Sequence, residues 1–209
     1  MTEDRVSYSV YAVIDLLDAF ASNDPVPGGG SASALAGALG VSLLMMVAGL
    51  PKTRTGAPEE ATDLAEASAR LRPLRENLIA LVDGDSDAYR LVMAGLRLPK
   101  TSDTEKAARA DAIQAGMRAA TDVPLDTMRA CQQALAGAVV VARNALPAAA
   151  SDVGVAVELL AASVRGCALN IDTNLAAIAD AAYRERIATE RQQLEADGTA
   201  DAARARALL

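Results

Sequence analysis

The stretch Pro25-Val26-Pro27-Gly28-Gly29-Gly30-Ser31, followed by an uncharged run over residues 32–50, decides how this chain reads. Two prolines stiffen the approach, and three glycines open backbone conformations that other residues avoid. Ser31 is then expected to cap the Ala- and Leu-rich helix that follows. Such a turn leaves amides without intrahelical acceptors at the positive end of a helix dipole, where they can hold a carboxylate, a phosphate or a polarised carbonyl. The run between Asp24 and Lys52 is long enough to span a bilayer. Its first part reads as loop, however, and Ser31, Ser33, Gly37, Gly40 and Ser42 dilute its apolar character. The expectation is a buried central helix with small residues for close packing, and no membrane partner. The Met-Thr-Glu-Asp-Arg start has no basic region leading into an apolar core, so no signal peptide is expected.

Composition agrees with a helical core. Hydrophobic residues make up 52% of the 209, much of that alanine, whereas aromatics are 2% and tryptophan is absent. Ala, Leu and Val suit closely packed helices rather than aromatic-rich sheets, so the chain reads as all-α: a single-domain bundle of six to seven helices over residues 1–209. A net charge of −7 without a Lys/Arg block argues against nucleic acid. The two cysteines, Cys131 and Cys167, form no C-x-x-C pair, and with no histidine in the chain no metal site is expected. They read as reduced core residues of a cytoplasmic protein. The missing histidine also excludes Ser-His-Asp and Cys-His catalysts, leaving proton transfer to carboxylates, Lys, Tyr or water.

Along the chain, Val6, Val10, Val13, Ile14, Leu17 and Phe20 predict a first amphipathic helix ending near residues 21–23. Gly49, Pro51 and Gly56 close the central helix and frame a basic loop before Pro58 opens the next one. In that third helix Leu71, Leu78, Val82, Asp85, Tyr89, Val92 and Leu96 fall on one stripe, with Arg75 also on it. Asp85 therefore stands where an apolar residue is expected. A carboxylate there is costly unless paired, with Arg75 or a lysine, or used; desolvation would raise its pKa toward the range useful for proton transfer. Asp83 and Asp87 are expected on another, solvated face, and Pro73 and Gly84 are expected to kink or break this helix.

Ser102 or Asp103 is expected to cap a helix over residues 104–121, with Pro124 opening a further one to about residues 143–145. After a loop at 146–151, Ser151 or Asp152 is expected to cap a helix whose seam is Val153, Val157, Leu160, Val164, Cys167, Ile171 and Ile178. Asn170 and Asn174, four apart, share a face and offer two amides, either to fix helix packing or to read the edge of a heterocycle. A charged last helix over about residues 180–194 follows, with the tail after about residue 195 expected to fray.

Six pieces resemble, in order, the formiminotransferase-cyclodeaminase C-terminal family, which includes stand-alone methenyltetrahydrofolate cyclohydrolases. They are Pro27-Gly28-Gly29-Gly30-Ser31, Leu81-Val82-Asp83-Gly84-Asp85-Ser86-Asp87-Ala88-Tyr89, Arg97-Leu98-Pro99-Lys100, Val123-Pro124-Leu125, Ser151-Asp152-Val153-Gly154-Val155-Ala156 and Leu169-Asn170-Ile171-Asp172-Thr173-Asn174-Leu175. The resemblance implies an all-helical homodimer acting on folate one-carbon units without metal or organic cofactor. It offers two reactions: interconversion of 5,10-methenyl- and 10-formyltetrahydrofolate, or cyclisation of 5-formiminotetrahydrofolate with loss of ammonia. A non-catalytic folate- or partner-binding protein is the third possibility. The family's catalytic aspartate falls on Asp85. Gly28, Gly29, Gly30, Ser31, Asp152, Asn170 and Asn174 are candidates for holding the pterin, and Lys52, Arg54 and Lys100 for the glutamate-tail carboxylates. The chain departs from the family's usual pattern after the central helix, where it has Gly49, Pro51, Lys52 and Arg54. It departs again before Ser151, where it has Ala145-Leu146-Pro147-Ala148.

Overall fold

A computed structural model describes residues 12–209, and within them the chain is all-α, as the composition requires. Six helices follow in order: α1 Val13–Ala21, α2 Gly29–Ala48, α3 Pro58–Arg97, α4 Asp103–Asn144, α5 Ala150–Leu175 after a short 3-10 turn Pro147–Ala149, and α6 Ala181–Arg206. The central element is α2, packed against α3, α5 and part of α4; α6 lies across α4 and α5. Alanine and glycine permit this closeness. A Cβ on Gly37 would come within 2.6 Å of Cys131 Sγ, and one on Gly40 within 3.0 Å of the Ala156 carbonyl. Both α2 and the segment Pro147–Leu175 are long and apolar enough to cross a membrane by length and composition, yet about half of each is packed inside the protein.

Several expectations are corrected. The structure makes Gly28 the N-cap of α2, in an extended conformation, and puts Ser31 inside the first turn with a different task. α3 runs unbroken through Pro73 and Gly84. A proline there costs one intrahelical bond and some strain, about 3 kcal/mol, which burial of Leu71, Leu78 and Val82 offsets. α4 likewise continues through Pro124 instead of dividing. Proline has no N–H to give the carbonyl four residues back, Ala120 O, and Asn174 Nδ2 donates to that oxygen from α5 at 2.7 Å. Ser102 caps α4 in a reciprocal box with Glu105, whereas α5 begins at Ala150 with no side-chain cap from Ser151 or Asp152. The last helix reaches Arg206 without fraying, held by the buried Asp201, Ala202 and Ala205 and by Arg206 on Glu158 at 2.7 Å.

Two further corrections concern exposure. Asp83 is buried, not solvated. Val6 and Val10 of the expected first helix lie outside the described residues. In α1 it is Leu16 that meets Ala34 and Val82, while Val13, Ile14 and Leu17 face outward. The two segments that depart from the family pattern touch each other: Thr53 bridges Ala145, and the Arg54 amide donates to Asn144 O at 2.8 Å. Glu60 fixes the same loop, accepting from Thr53 Oγ1, Thr55 N and Gly56 N, and these bonds hold its carboxyl down to about 2.

Candidate active site

Asp85 projects from α3 onto the first turn of α2. Its Oδ2 accepts the Ser31 amide at 2.9 Å, and Ser31 Oγ lies 3.1 Å from the same oxygen. Among the described residues Oδ1 has no hydrogen-bond partner. This seat exists because residue 30 lacks a side chain: a Cβ there would stand 2.8 Å from Oδ2 and nearer still to Cγ and Oδ1. Gly29 and Gly30 occupy the first two positions of α2, so their amides have no intrahelical acceptor and remain available beside the carboxylate. The Asn170 amide lies alongside Gly29, its Nδ2 donating to Gly166 O at 2.9 Å.

Behind this turn a buried polar joint fixes α2 to α5 and α4. Ser33 Oγ donates to Gly29 O at 2.8 Å, Ser163 Oγ to Ser33 O at 2.7 Å, and Cys131 Sγ sits 3.1 Å from Ser163 Oγ. Gly166 leaves room for Ser33 Oγ, which any side chain would displace. Burial pushes the Cys131 thiol up to about 12 and raises Cys167 as well, so both remain neutral.

The electrostatics of Asp85 set two effects against each other. Desolvation raises its pKa above the ordinary carboxylate value, while the Ser31 amide and hydroxyl pull it down; burial prevails. No cation pairs with it among the described residues. Arg75 instead is exposed and donates to Ser42 Oγ at 2.8 Å. A half-desolvated carboxylate with one anchored and one free oxygen is suited to accept and return a proton, and as an anion to face a cation.

The structure gathers Gly28, Gly29, Gly30, Ser31, Asp85 and Asn170 at one end of α2. Asn174 is one turn further along α5, with its Nδ2 engaged by Ala120 O. Lys52, Arg54 and Asp152 lie at the opposite end, because α5 runs antiparallel to α2, and the 20 residues of α2 separate the two groups by about 30 Å. Arg54 Nη2 there donates to the carbonyls of Ala142 and Leu208. Lys100 is exposed beyond the end of α3. Ser86, fully buried with its Oγ 3.4 Å from Ser31 Oγ, went unnoticed in the sequence, although its place next to the misplaced Asp85 was a signal. The Ser33, Ser163 and Gly166 joint had only the spacing of small residues to announce it.

The family profile described as formiminotransferase-cyclodeaminase matches residues 12–193. The chain is 38% identical over 184 residues to methenyltetrahydrofolate cyclohydrolase of Methylorubrum extorquens, the match covering 88% of each chain. It is 30% identical over 168 residues to formimidoyltransferase-cyclodeaminase of Gallus gallus, covering 80% of this chain but 30% of that larger protein. A solved structure of formiminotetrahydrofolate cyclodeaminase from Thermotoga maritima shares the fold, with a TM-score of 0.85 over 96% of both chains at 24% identity. With six sequence pieces in register, the same helical architecture and a match over nearly the whole length, this chain belongs to the formiminotransferase-cyclodeaminase family.

Proposed function

We propose that this protein is a methenyltetrahydrofolate cyclohydrolase that works without metal or organic cofactor. The observation that carries the reading is Asp85: a half-buried carboxylate pinned by Oδ2 to the first turn of an uncharged helix, with no partner for Oδ1 among the described residues. In the hydrolytic direction Oδ1 takes a proton as water adds to the amidinium carbon. It returns that proton to the departing ring nitrogen as the carbon–nitrogen bond breaks, and the carbinol proton leaves as the formyl carbonyl forms. The anion also stabilises the cationic substrate before water adds. Similarity along nearly the full length of the Methylorubrum protein favours this reaction over cyclodeamination. The same carboxylate could instead move a proton from the attacking ring nitrogen to departing ammonia. What supports that second reading is the 30% identity to the Gallus formimidoyltransferase-cyclodeaminase.

The test is spectrophotometric. Purified protein is expected to speed the loss of 5,10-methenyltetrahydrofolate absorbance well beyond its spontaneous rate. If it does not, while 5-formiminotetrahydrofolate yields ammonia, cyclodeamination replaces the reading. Binding of folate with neither reaction would leave a non-catalytic protein.

The reading includes a homodimer. Val13, Ile14 and Leu17 of α1, Leu39 and Met46 of α2, and Val155 and Leu169 of α5 are all exposed, and α2 carries no charge to keep its outer face in water. Sedimentation is expected to give twice the chain mass, and Leu39→Asp with Met46→Asp to shift it toward one. In this reading Lys52 reaches the tail of a folate held at Asp85 only from a second copy, since one protomer sets them about 30 Å apart.

A further inference from the structure

Besides Ser86 Oγ, which can itself donate, the one hydroxyl proton of Ser31 has two pure acceptors within reach: Asp85 Oδ2 at 3.1 Å and the Val82 carbonyl, one turn earlier on the same helix as Asp85, at 2.8 Å. It can serve one at a time. The residue is fully buried, so water cannot take over either bond. Its amide, by contrast, is committed to Oδ2 whatever the hydroxyl does. Resting on the reading of Asp85 as the proton carrier, we propose that Ser31 is a positioning residue whose hydroxyl follows the charge of Asp85, turning to Oδ2 when the carboxylate is ionised and to Val82 O when it is protonated.

The geometry gives this rotor a purpose. With the amide fixed on Oδ2, the carboxylate keeps its place in both states, and proton exchange is confined to Oδ1. When Oδ1 accepts the substrate-derived proton, Oδ2 becomes the oxygen of a neutral acid and a weaker acceptor, and the hydroxyl proton swings to Val82 O. The covalent O–H bond stays intact, and the hydrogen bond given up at Oδ2 is replaced by the one to Val82 O. When Oδ1 gives its proton back, the hydroxyl returns. The rotor thereby stabilises the anion more than the acid and opposes the desolvation that raises the Asp85 pKa. Ser86 Oγ, 3.4 Å away, can donate to Ser31 Oγ in both states and steady it. Among the described residues, α2 contributes no charged or titratable group near Asp85 and α5 contributes the buried neutral Cys167. α1, which meets Val82 through Leu16, carries Asp15 and Asp18, α4 carries Asp122 beside the Val123 that faces Gly84, and α3 itself carries Asp83, Asp87 and Tyr89 on the neighbouring turns.

The experiment is a carbon-13 titration of the aspartate carboxyls, with the Asp85 signal assigned by its loss in Asp85→Asn. It is run on the wild type, on Ser31→Ala and on the near-isosteric Ser31→Cys, whose thiol is a weak donor. Helix content is checked by circular dichroism. The Asp85 pKa is expected to rise by about one unit in both variants, because a hydrogen bond to the charged form is lost. The acid limb of the kcat–pH profile is expected to move up with it, and kcat to fall about tenfold with KM nearly unchanged. An unmoved Asp85 titration in a folded Ser31→Ala or Ser31→Cys overturns the proposal. A shifted titration alongside full turnover by Asp85→Asn would leave the rotor standing and remove the catalytic reading instead, so the two failures are told apart.

Discussion

Asp85→Asn is expected to reduce turnover of the methenyl substrate by about 10²–10⁴-fold, the range that a positioned acid–base group contributes, while the protein stays folded. Asparagine keeps the shape of the side chain. Its carbonyl oxygen can still accept the Ser31 amide where Oδ2 does now, so the seat on α2 survives. What disappears is an oxygen that can take a proton and a charge that faces the cationic substrate. The same change is expected to leave stability at pH 7 equal or higher. Asp85 has a folded-state pKa raised by burial above its value in the unfolded chain. Its contribution to stability is therefore fully present below the unfolded value and is lost as pH rises through the folded one. At neutral pH, above the unfolded value, the wild type bears the cost of a carboxyl that ionises less readily folded than unfolded, and the asparagine variant does not. Thermal unfolding at pH 7 and again near pH 4 checks the sign, because the advantage of the variant should shrink on acidification. Near-normal turnover by a folded Asp85→Asn would remove Asp85 from the chemistry.

The sequence made this residue visible through a break in a pattern. A carboxylate on the stripe that also holds Leu71, Leu78 and Val82 has to be explained, and the structure explains it with an anchor on α2 rather than with Arg75. Helix identity was legible in the same way, from the spacing of apolar residues and from a cap such as Ser102, which the structure completes with Glu105. What was illegible depended on partners far along the chain. Pro124 reads locally as a helix start, and only Asn174, 50 positions later, supplies the donor that Ala120 O lacks. The same bond gives Asn174 the packing task that was one of the two readings of its place beside Asn170, rather than the reading of a heterocycle edge. The Ala- and Arg-rich tail reads as fraying because nothing local shows that Gly198 packs on Leu135 and Val164. Lys52 and Arg54 follow the central helix closely in sequence, but its length carries them away from the turn at its other end.

Gly30→Ala is expected to cost about 10²-fold in kcat with only a small change in stability, a combination that separates positioning from folding. The added methyl would fall within the present volume of the Asp85 carboxylate, so the carboxylate must move, and the bonds from Ser31 to Oδ2 lengthen or break. A displacement on the order of 1 Å at a reacting group is enough for a hundredfold loss. Overpacking should cost about 1–3 kcal/mol. Replacing glycine by alanine within a helix returns up to about 1 kcal/mol, so the net effect on Tm stays modest. The two glycines before it provide the comparison. A Cβ on Gly29 would stand 3.6 Å from Asn170 Nδ2, and one on Gly28 3.5 Å from the Pro25 carbonyl, both ordinary contacts. Gly29→Ala and Gly28→Ala should therefore leave the Asp85 seat intact, and any loss of activity they bring would report on ligand contact at the backbone, seen in KM more than in kcat. Measured kcat, KM and Tm for the three variants decide the matter. If Gly30→Ala alone loses kcat, the glycine turn serves first to admit the carboxylate to the helix terminus. If all three lose alike, its role is to present free amides to the substrate, and Gly30 has no special claim.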